Sequence, residues 1–278
     1  MSLVQLSSVT KRFGDTTAVD AVSFVVEPGE VVGLLGANGA GKTTIMRMLL
    51  GLLRPTSGRI EVDGEPVTVE TRRHVGYVPQ GLGLYRELTV EENLAFAADA
   101  HGVARPDPGP ELAKVGDRRI GDVSLGLRRR AAFVAATCHD PDLLVLDEPT
   151  SGVGPLGRAR LWETIRSRAE SGAGVLVSTH YMEEAEECDR LLLMAAGSEV
   201  ASGTVDALLT GKTSVEVDAS DPAAISRLRS AGLVVVAAGD HWRVPDADLR
   251  EVREIVGTSV ACTEVPASFD EVFVDLST

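Results

Sequence analysis

The chain has 278 residues, of which 44% are apolar and 24% charged. This composition is typical of soluble globular proteins and excludes disordered, collagen-like and fibrous classes. Acidic residues outnumber basic ones by 41 to 27, giving a net charge of −14, which argues against a nucleic-acid partner and against a role on anionic lipid. No apolar stretch approaches the ~20 residues needed to cross a bilayer. The N-terminus lacks a secretory pattern, and three cysteines without a CxxC pair (Cys138, Cys188 and Cys262, all expected to be buried) indicate a reducing cytoplasm.

The first part of the chain is predicted to alternate strands with helices. Strands are expected over 3–9, 18–26, 30–35, 59–62 and 74–78, with a glycine-rich loop over 36–43 and helices over 44–53 and 89–100. Thr89 and Glu92 form a capping box that opens the second helix. Pro106, Pro108 and Pro110 exclude a long helix over 103–116, which we expect to be a loop.

The middle and the end of the chain follow different patterns. A helix over 124–137, a strand over 143–146, a helix over 157–169 and a strand over 175–178 continue the alternation, which favours an α/β fold with a mostly parallel sheet. A short helix ends near Leu209, and Gly211 marks a boundary. Beyond it we expect strands over 214–217, 234–236, 241–244 and 260–265, and helices over 222–231, 246–256 and 269–276. The sequence therefore predicts a domain over 1–211 and a small α+β C-terminal domain over 212–278.

Residues 36–43 carry the first chemical signal, a P-loop of the form GxxxxGK[ST]. Glycines in such a loop let backbone N–H groups close around phosphate oxygens, and the dipole of the following helix favours the anion. Lys42 is predicted to reach the β- and γ-phosphates of ATP, and the Thr43 hydroxyl to ligate Mg²⁺. The predicted nucleotide-binding loop comprises Gly36, Ala37, Asn38, Gly39, Ala40, Gly41, Lys42, Thr43 and Thr44.

A second signal lies at the end of the buried strand 143–146, where two carboxylates follow four apolar residues. Ligands of open α/β sheets bind at the carboxyl ends of strands. Asp147 is predicted to hold Mg²⁺ through water, and Glu148 to polarise the attacking water as general base.

Together these motifs resemble the ATP-binding subunits of ATP-binding-cassette (ABC) transporters over residues 3–209. The resemblance implies a P-loop NTPase cassette with a mostly parallel core sheet, an antiparallel β subdomain and a helical subdomain near 82–138. It matches Phe13 to an aromatic residue that stacks on adenine, and Gln80 to a glutamine that touches the Mg²⁺ shell and senses the membrane subunit. It matches His180 to a histidine that contacts the γ-phosphate. The implied metal set is Thr43, Gln80 and Asp147.

Two motifs depart from the family pattern. The signature loop, usually Leu-Ser-Gly-Gly-Gln, reads Val-Ser-Leu-Gly-Leu over 123–127. It keeps Ser124 and Gly126, which the resemblance places against ATP bound to the opposite protomer. Leu125 replaces a glycine and is expected to constrain the backbone. Gly154 stands where the family has an aspartate that couples the paired sites, so weaker communication between them is expected.

The interval between Gln80 and Ser124 is short for the family's helical subdomain, so the surface that docks the membrane subunit is expected to be trimmed or reshaped. Apolar residues beside Gln80 are candidates for this surface, with local core packing as an equal alternative. These residues are Leu82, Leu84, Tyr85 and Leu88.

The resemblance implies an ATPase in which two subunits sandwich two ATP molecules and drive separate transmembrane permease subunits. Lys42, Glu148 and His180 are the implied catalytic residues, and the second ATPase subunit is the same or a different chain. Such proteins lie in the cytoplasm, peripherally on the inner face of the cell membrane. The tail over 267–276 resembles that of drug, antibiotic and polysaccharide exporter ATPases, which favours export.

Two rival functions remain. A non-hydrolysing or weakly active regulatory subunit of a heterodimeric ABC complex is suggested by Leu125 and Gly154. A soluble ABC protein acting on ribosomes or DNA is disfavoured by the acidic charge and the lack of a basic arm.

Overall fold

The computed structural model describes residues 2–218, 222–257 and 260–277. Its first part contains β1 (Val4–Phe13), β2 (Thr16–Val26), β3 (Val31–Leu35), α1 (Lys42–Leu49), β4 (Ser57–Val62), β5 (Glu65–Pro66), β6 (Val75–Val78), α2 (Val90–His101), α3 (Gly109–Ala113), α4 (Leu125–Thr137), β7 (Leu143–Asp147), α5 (Pro155–Glu170), β8 (Gly174–Thr179), β9 (Arg190–Ala195), β10 (Ser198–Gly203) and α6 (Val205–Leu209). Short 3₁₀ turns cover Thr71–His74, Ile120–Asp122 and Met182–Glu187.

The central sheet has the strand order β10-β9-β3-β8-β7-β6. All neighbours are parallel except β10, which runs antiparallel along the edge. Every residue of β3, β7 and β8 is buried, because apolar clusters cover both faces of the sheet. This confirms the predicted mostly parallel core, although β9 and β10 were not predicted. The P-loop follows β3, the acidic pair lies at the end of β7, and His180 follows β8; these three strands are neighbours in the sheet.

A separate antiparallel sheet with the order β2-β1-β4-β5 packs on α1 and the core, as the family resemblance implied. Its first hairpin joins β1 to β2 beside Phe13, which pairs with Thr16. Ala18 of β2 reaches the P-loop, so this sheet forms one wall of the nucleotide cavity.

The helical region consists of α2, α3 and α4 around its own apolar cluster. The prediction that 103–116 is a loop is wrong in part, because α3 forms within it. Pro110 lies in the first turn of α3, where the missing N–H breaks no helical bond. Leu112 of α3 is fully buried and anchors this shortened segment to α4.

The expected backbone constraint at Leu125 is also absent. Ser124 is the N-cap of α4 and its side chain accepts from the Leu127 N–H at 3.5 Å. Leu125 is the first helical residue and has no positive φ. A leucine fits that position without strain, so glycine is not required there.

The C-terminal part contains β11 (Thr213–Asp218), α7 (Pro222–Ser230), β12 (Val236–Ala238), β13 (His241–Pro245), α8 (Leu249–Val256), β14 (Cys262–Pro266) and α9 (Phe269–Ser277). Its antiparallel sheet has the order β12-β13-β11-β14. This βαββαβ arrangement is ferredoxin-like, with α7 and α8 on one face. The α+β prediction for this region is confirmed.

Helix α9 connects the two parts. Phe273 packs in the cluster of the central sheet together with Phe269 and Leu276. On the other side of the helix, Glu271 is 3% exposed and accepts from Ser214 Oγ at 2.7 Å. The predicted division after residue 211 therefore stays a prediction, because the last helix packs against both sides of it.

Two expectations from composition can be compared with the fold. Among the described residues, no helix is both long enough and apolar enough to span a membrane. Cys188 and Cys262 are buried, and burial raises the pKa of the Cys188 thiol to about 12. Cys138 is partly exposed, so the expectation that all three cysteines are buried is wrong for that residue.

Candidate nucleotide-binding site

The P-loop wraps around the N-terminus of α1 and lines a cavity of about 310 Å³. Its backbone requires glycine at two points. A Cβ on Gly36 would lie 2.4 Å from the Met194 carbonyl oxygen, and one on Gly41, which has φ +103°, would lie 2.6 Å from the Ala18 carbonyl oxygen. The close approach of these backbone segments explains why the motif tolerates no side chain at Gly36 or Gly41.

Lys42 lies beneath this loop and is only 5% exposed. Its ammonium donates to the carbonyl oxygens of Gly36 at 2.6 Å and Ala37 at 3.1 Å. Burial lowers the pKa of Lys42, while the carboxylates of Glu148 and Asp147 act in the opposite direction. A buried cation with acidic neighbours is therefore available to an anion entering the cavity.

Oxygen ligands meet below the loop. Thr43 Oγ1 donates to Asp147 Oδ2 at 3.0 Å, and Ser178 Oγ donates to Asp147 Oδ1 at 2.7 Å. Hydroxyl and carboxylate oxygens of this kind fit Mg²⁺, which in nucleotide sites keeps one or two protein ligands and takes the rest from phosphate and water. Within the described ranges, no cluster of three or more His, Cys, Asp or Glu side chains could hold a metal by itself.

Glu148 lies at the centre of the remaining predicted residues. Its carboxylate accepts from Gln80 Nε2 at 3.1 Å, and its other oxygen is 3.4 Å from His180 Nδ1. Its backbone N–H donates to Ser178 Oγ at 3.0 Å. The residue is 8% exposed and has φ +49°, a left-handed conformation that is uncommon outside glycine. Surrounding contacts must hold such a backbone in place.

The segment after β8 holds His180 through its neighbours. The ring centroids of His180 and Tyr181 are 4.2 Å apart. The Arg158 guanidinium lies over the Tyr181 ring, 4.6 Å from its centroid. Thr179 Oγ1 donates to the buried Glu184 at 2.6 Å. Sequence reasoning did not identify Arg158 or Glu184, because neither belongs to a motif.

Asp147 and His180 contact residues that line this cavity, Thr43 and Glu148, whereas Phe13, Ser124 and Gly126 lie apart from it. Phe13 is 50% exposed at the first hairpin, with Lys11 Nζ 5.0 Å from its ring centroid. Ser124 and Gly126 are exposed at the N-terminus of α4 and border a different cavity between α4 and α5. Neither residue lines the P-loop cavity.

Gly154, the second departure from the pattern, is the N-cap of α5 and has no capping side chain. A Cβ placed on it meets no atom within 4 Å. The position can therefore take a side chain without a clash.

Comparisons with known proteins place these features in context. The model of the ABC transporter family matches residues 19–151. The Nod factor export ATP-binding protein I of Burkholderia lata is 42% identical over 80% of this chain and 78% of the relative, and the protein of that name from Rhizobium sp. (strain N33) is 37% identical over 99% and 96%. A probable multidrug ABC transporter ATP-binding protein of Escherichia coli K12, YbhF, is 42% identical over 74% of this chain, which spans only 38% of that relative.

Solved structures agree with the fold. An ATP-binding subunit of an ABC transporter has a TM-score of 0.69 and 28% identity, covering 92% of this chain and 99% of the other. A bacterial Atm1-family exporter with ATP bound has a TM-score of 0.67 and 26% identity, over 74% of this chain and 39% of the other. A cassette solved as a dimer with ADP and Pi has a TM-score of 0.65 over 72% of this chain and 98% of the other; at 23% identity it supports the fold alone.

Proposed function

This chain belongs to the family of ABC transporter ATP-binding proteins, and we propose that it hydrolyses ATP to drive an exporter with separate membrane subunits. The sequence-based resemblance and the P-loop NTPase fold are confirmed. One observation carries the proposal: the P-loop, Gln80 and Glu148 line a single cavity, and Asp147 and His180 lie beside it against Thr43 and Glu148. The relatives named for multidrug and Nod factor export favour export as the direction.

The P-loop and Lys42 provide the phosphate site. ATP phosphates replace the two loop carbonyls as partners of the Lys42 ammonium, whose positive charge then faces the β- and γ-phosphates. Thr43, Asp147 and Gln80 are the residues that would hold Mg²⁺, which would neutralise charge on those phosphates. The two required glycines let the loop pack against the carbonyls of Met194 and Ala18, and the backbone N–H groups of the loop would donate to phosphate oxygens.

Glu148 and His180 act on the attacking water. The carboxylate of Glu148 is held by Gln80 and accepts a proton from water as general base. His180 lies 3.4 Å from the same carboxylate, where it would contact the γ-phosphate of bound ATP. Gln80 also connects the catalytic carboxylate to the segment over 82–88. Movement of that segment when a membrane subunit binds would therefore shift Glu148 through the Gln80 side chain.

A second ATPase chain completes the site. Ser124 and Gly126 are exposed and lie away from the P-loop of their own chain, so they serve the nucleotide on a partner. The N-terminus of α4, with unstrained Leu125, presents backbone N–H groups to that nucleotide. The partner is a second copy or a related chain.

The membrane subunit docks in a groove of about 360 Å³ between α2, α4 and the segment after Gln80. Leu52, Tyr85 and Phe96 line it and are each at least half exposed. Adjacent exposed apolar side chains mark interaction surfaces. Of the four docking candidates, Leu82, Leu84 and Tyr85 line the groove, whereas Leu88 does not. Docking there places the chain on the inner face of the cell membrane.

A regulatory subunit without turnover is the second candidate, and Gly154 favours it. A regulatory role would leave Glu148 without a catalytic task, yet its carboxylate is 3.1 Å from Gln80 Nε2 and 3.4 Å from His180 Nδ1. The acidic charge of the chain weighs against a ribosome- or DNA-associated role.

Light scattering with Mg-ATP distinguishes the two candidates. We expect Glu148→Gln to accumulate as an ATP-bound dimer, because the closed pair can no longer hydrolyse its nucleotide. The wild type and Glu186→Gln, which changes an exposed glutamate, reset by hydrolysis and remain mostly monomeric. Equal dimer fractions in all three proteins would favour the regulatory subunit.

A further inference from the structure

Among the described residues, Arg129 is the only arginine that is buried, at 7% exposure. It lies one turn into α4 and points at the loop that follows β7. Its Nη1 donates to the carbonyl oxygens of Glu148 at 2.8 Å and Pro149 at 2.7 Å, and its Nη2 donates to that of Ser151. One side chain therefore holds three backbone carbonyls of the catalytic loop.

These contacts act on the strained residue of the site. Glu148 has a left-handed backbone, which persists only where its surroundings fix it. Ser178 holds the N–H of Glu148 from β8, and Arg129 holds its C=O from α4. The peptide groups on both sides of the catalytic carboxylate are thus clamped by side chains from two different elements.

The position of Arg129 on α4 also connects Glu148 to the loop at Ser124. Ser124 is the N-cap of α4, and its carbonyl oxygen accepts from the Arg128 N–H at 3.0 Å. The first turn of the helix therefore joins the exposed Ser124 to the buried Arg129. A displacement of the loop at Ser124 moves the guanidinium that holds Glu148 of the same chain.

We propose that Arg129 is a positioning residue that aligns Glu148 with the attacking water and couples it to the loop at Ser124; this rests on the proposed ATPase function. Because Gly154 lacks the carboxylate that would couple the paired sites, the contact of Arg129 with the loop after β7 is the remaining route between them that we propose. All three acceptors of the Arg129 guanidinium are backbone carbonyls, and Arg129 does not line the P-loop cavity.

The Arg129 guanidinium is suited to holding the loop after β7, whereas the adjacent Arg128 and Arg130 have other partners. Its planar fork reaches several acceptors from two nitrogens, whereas lysine offers a single one. Arg128 donates to the Val123 carbonyl and Arg130 pairs with Glu111 at 2.8 Å, so neither reaches the loop after β7. Arg130→Met is therefore a matched control that removes an arginine from the same helix.

The test compares Arg129→Lys, Arg129→Met and Arg130→Met in steady-state phosphate release against ATP concentration. Misplacing a catalytic group by about 1 Å costs up to ~100-fold in rate. We expect kcat to fall about 10-fold or more in Arg129→Lys and further in Arg129→Met, with KM within about twofold of the wild type. Arg130→Met keeps the wild-type kcat. In a Glu148→Gln background, Arg129→Lys leaves ATP-driven dimerisation unchanged.

Two results would overturn the proposal. One is an undiminished kcat in Arg129→Lys; the other is a parallel loss of ATP binding and of dimerisation in the Glu148→Gln background, which indicates a general structural role. If Arg129→Met fails to fold by circular dichroism, Arg129→Lys decides. Absence of turnover in the wild type would instead refute the proposed function together with this inference, so the two failures are distinguishable.

Discussion

Gly154→Asp tests the most conspicuous departure from the family pattern, because the structure allows the missing carboxylate to be restored. Gly154 is the N-cap of α5 with φ −67° and ψ 164°, values open to any residue, and a Cβ there meets open space. An aspartate at this position accepts from the first free N–H groups of α5. It also places a negative charge at the positive end of the helix dipole.

The expected gain in stability is small but measurable. Aspartate exceeds glycine as an N-cap by a few tenths of a kcal/mol, and a charge at a helix N-terminus adds about 0.3–1 kcal/mol. Together they give about 1 kcal/mol, which corresponds to an increase in Tm of about 2–4 °C for a domain of this size. Gly154→Asn is the matched control, because it caps the helix without the charge.

Function and stability are then measured separately. Thermal unfolding reports the cap, and the Hill coefficient of phosphate release against ATP concentration reports communication between sites. We expect both to rise in Gly154→Asp, and only the Tm to rise in Gly154→Asn. A stabilised Gly154→Asp with unchanged cooperativity refutes the idea that the missing carboxylate weakens coupling. An unchanged Tm refutes the capping argument.

Two further predictions concern charged groups outside the catalytic cavity. Burial would raise the pKa of Glu271, but hydrogen bonds from Ser214 and Ser268 and the charge of Arg243 outweigh it and lower the pKa. Glu271→Gln should therefore cost about 2 kcal/mol in urea unfolding at pH 7, as expected for hydrogen bonds to a charged group. Equal stabilities there would contradict the role of α9 as a connection. That difference should shrink as the pH falls below the ordinary value of 4.5, because the native contribution is lost when the carboxylate protonates. Burial, and then the charge of His101 stacked at 3.6 Å, lower the pKa of His139, so the unfolded chain takes up a proton first and stability falls as the pH drops below about 6.5. In His139→Asn, the free energy of unfolding should change less between pH 7.5 and 5.5 than in the wild type. The same pH dependence in both proteins would show that His139 is not responsible.

The core and the phosphate site were predictable because their signals are local. Fully apolar strands ending in glycine or in paired carboxylates define where a parallel sheet binds ligands, and sheet order then brings Lys42, Asp147 and His180 together. The shortened segment over 103–116 was predicted only in part. Its prolines exclude a long helix but allow one that starts with proline, and the burial of Leu112 stabilises α3.

The features that sequence reasoning missed depend on distant partners. Arg129 lies within three consecutive arginines, a pattern typical of an exposed face, and its carbonyl acceptors are about twenty residues away. Helix α9 resembles an amphipathic helix of the small domain, yet Phe273 packs on the central sheet. No periodicity indicates which of two neighbouring cores an apolar face will join.

The central claim is that this chain turns over ATP through Glu148. Steady-state phosphate release with Mg-ATP, measured for the wild type, Glu148→Gln and Glu186→Gln, tests it most directly. We expect turnover in the wild type and in Glu186→Gln, and a fall of about 10²–10⁴-fold in Glu148→Gln, the range typical of a lost general base. Tight ATP binding without turnover in the wild type, or turnover that survives in Glu148→Gln, would contradict the account.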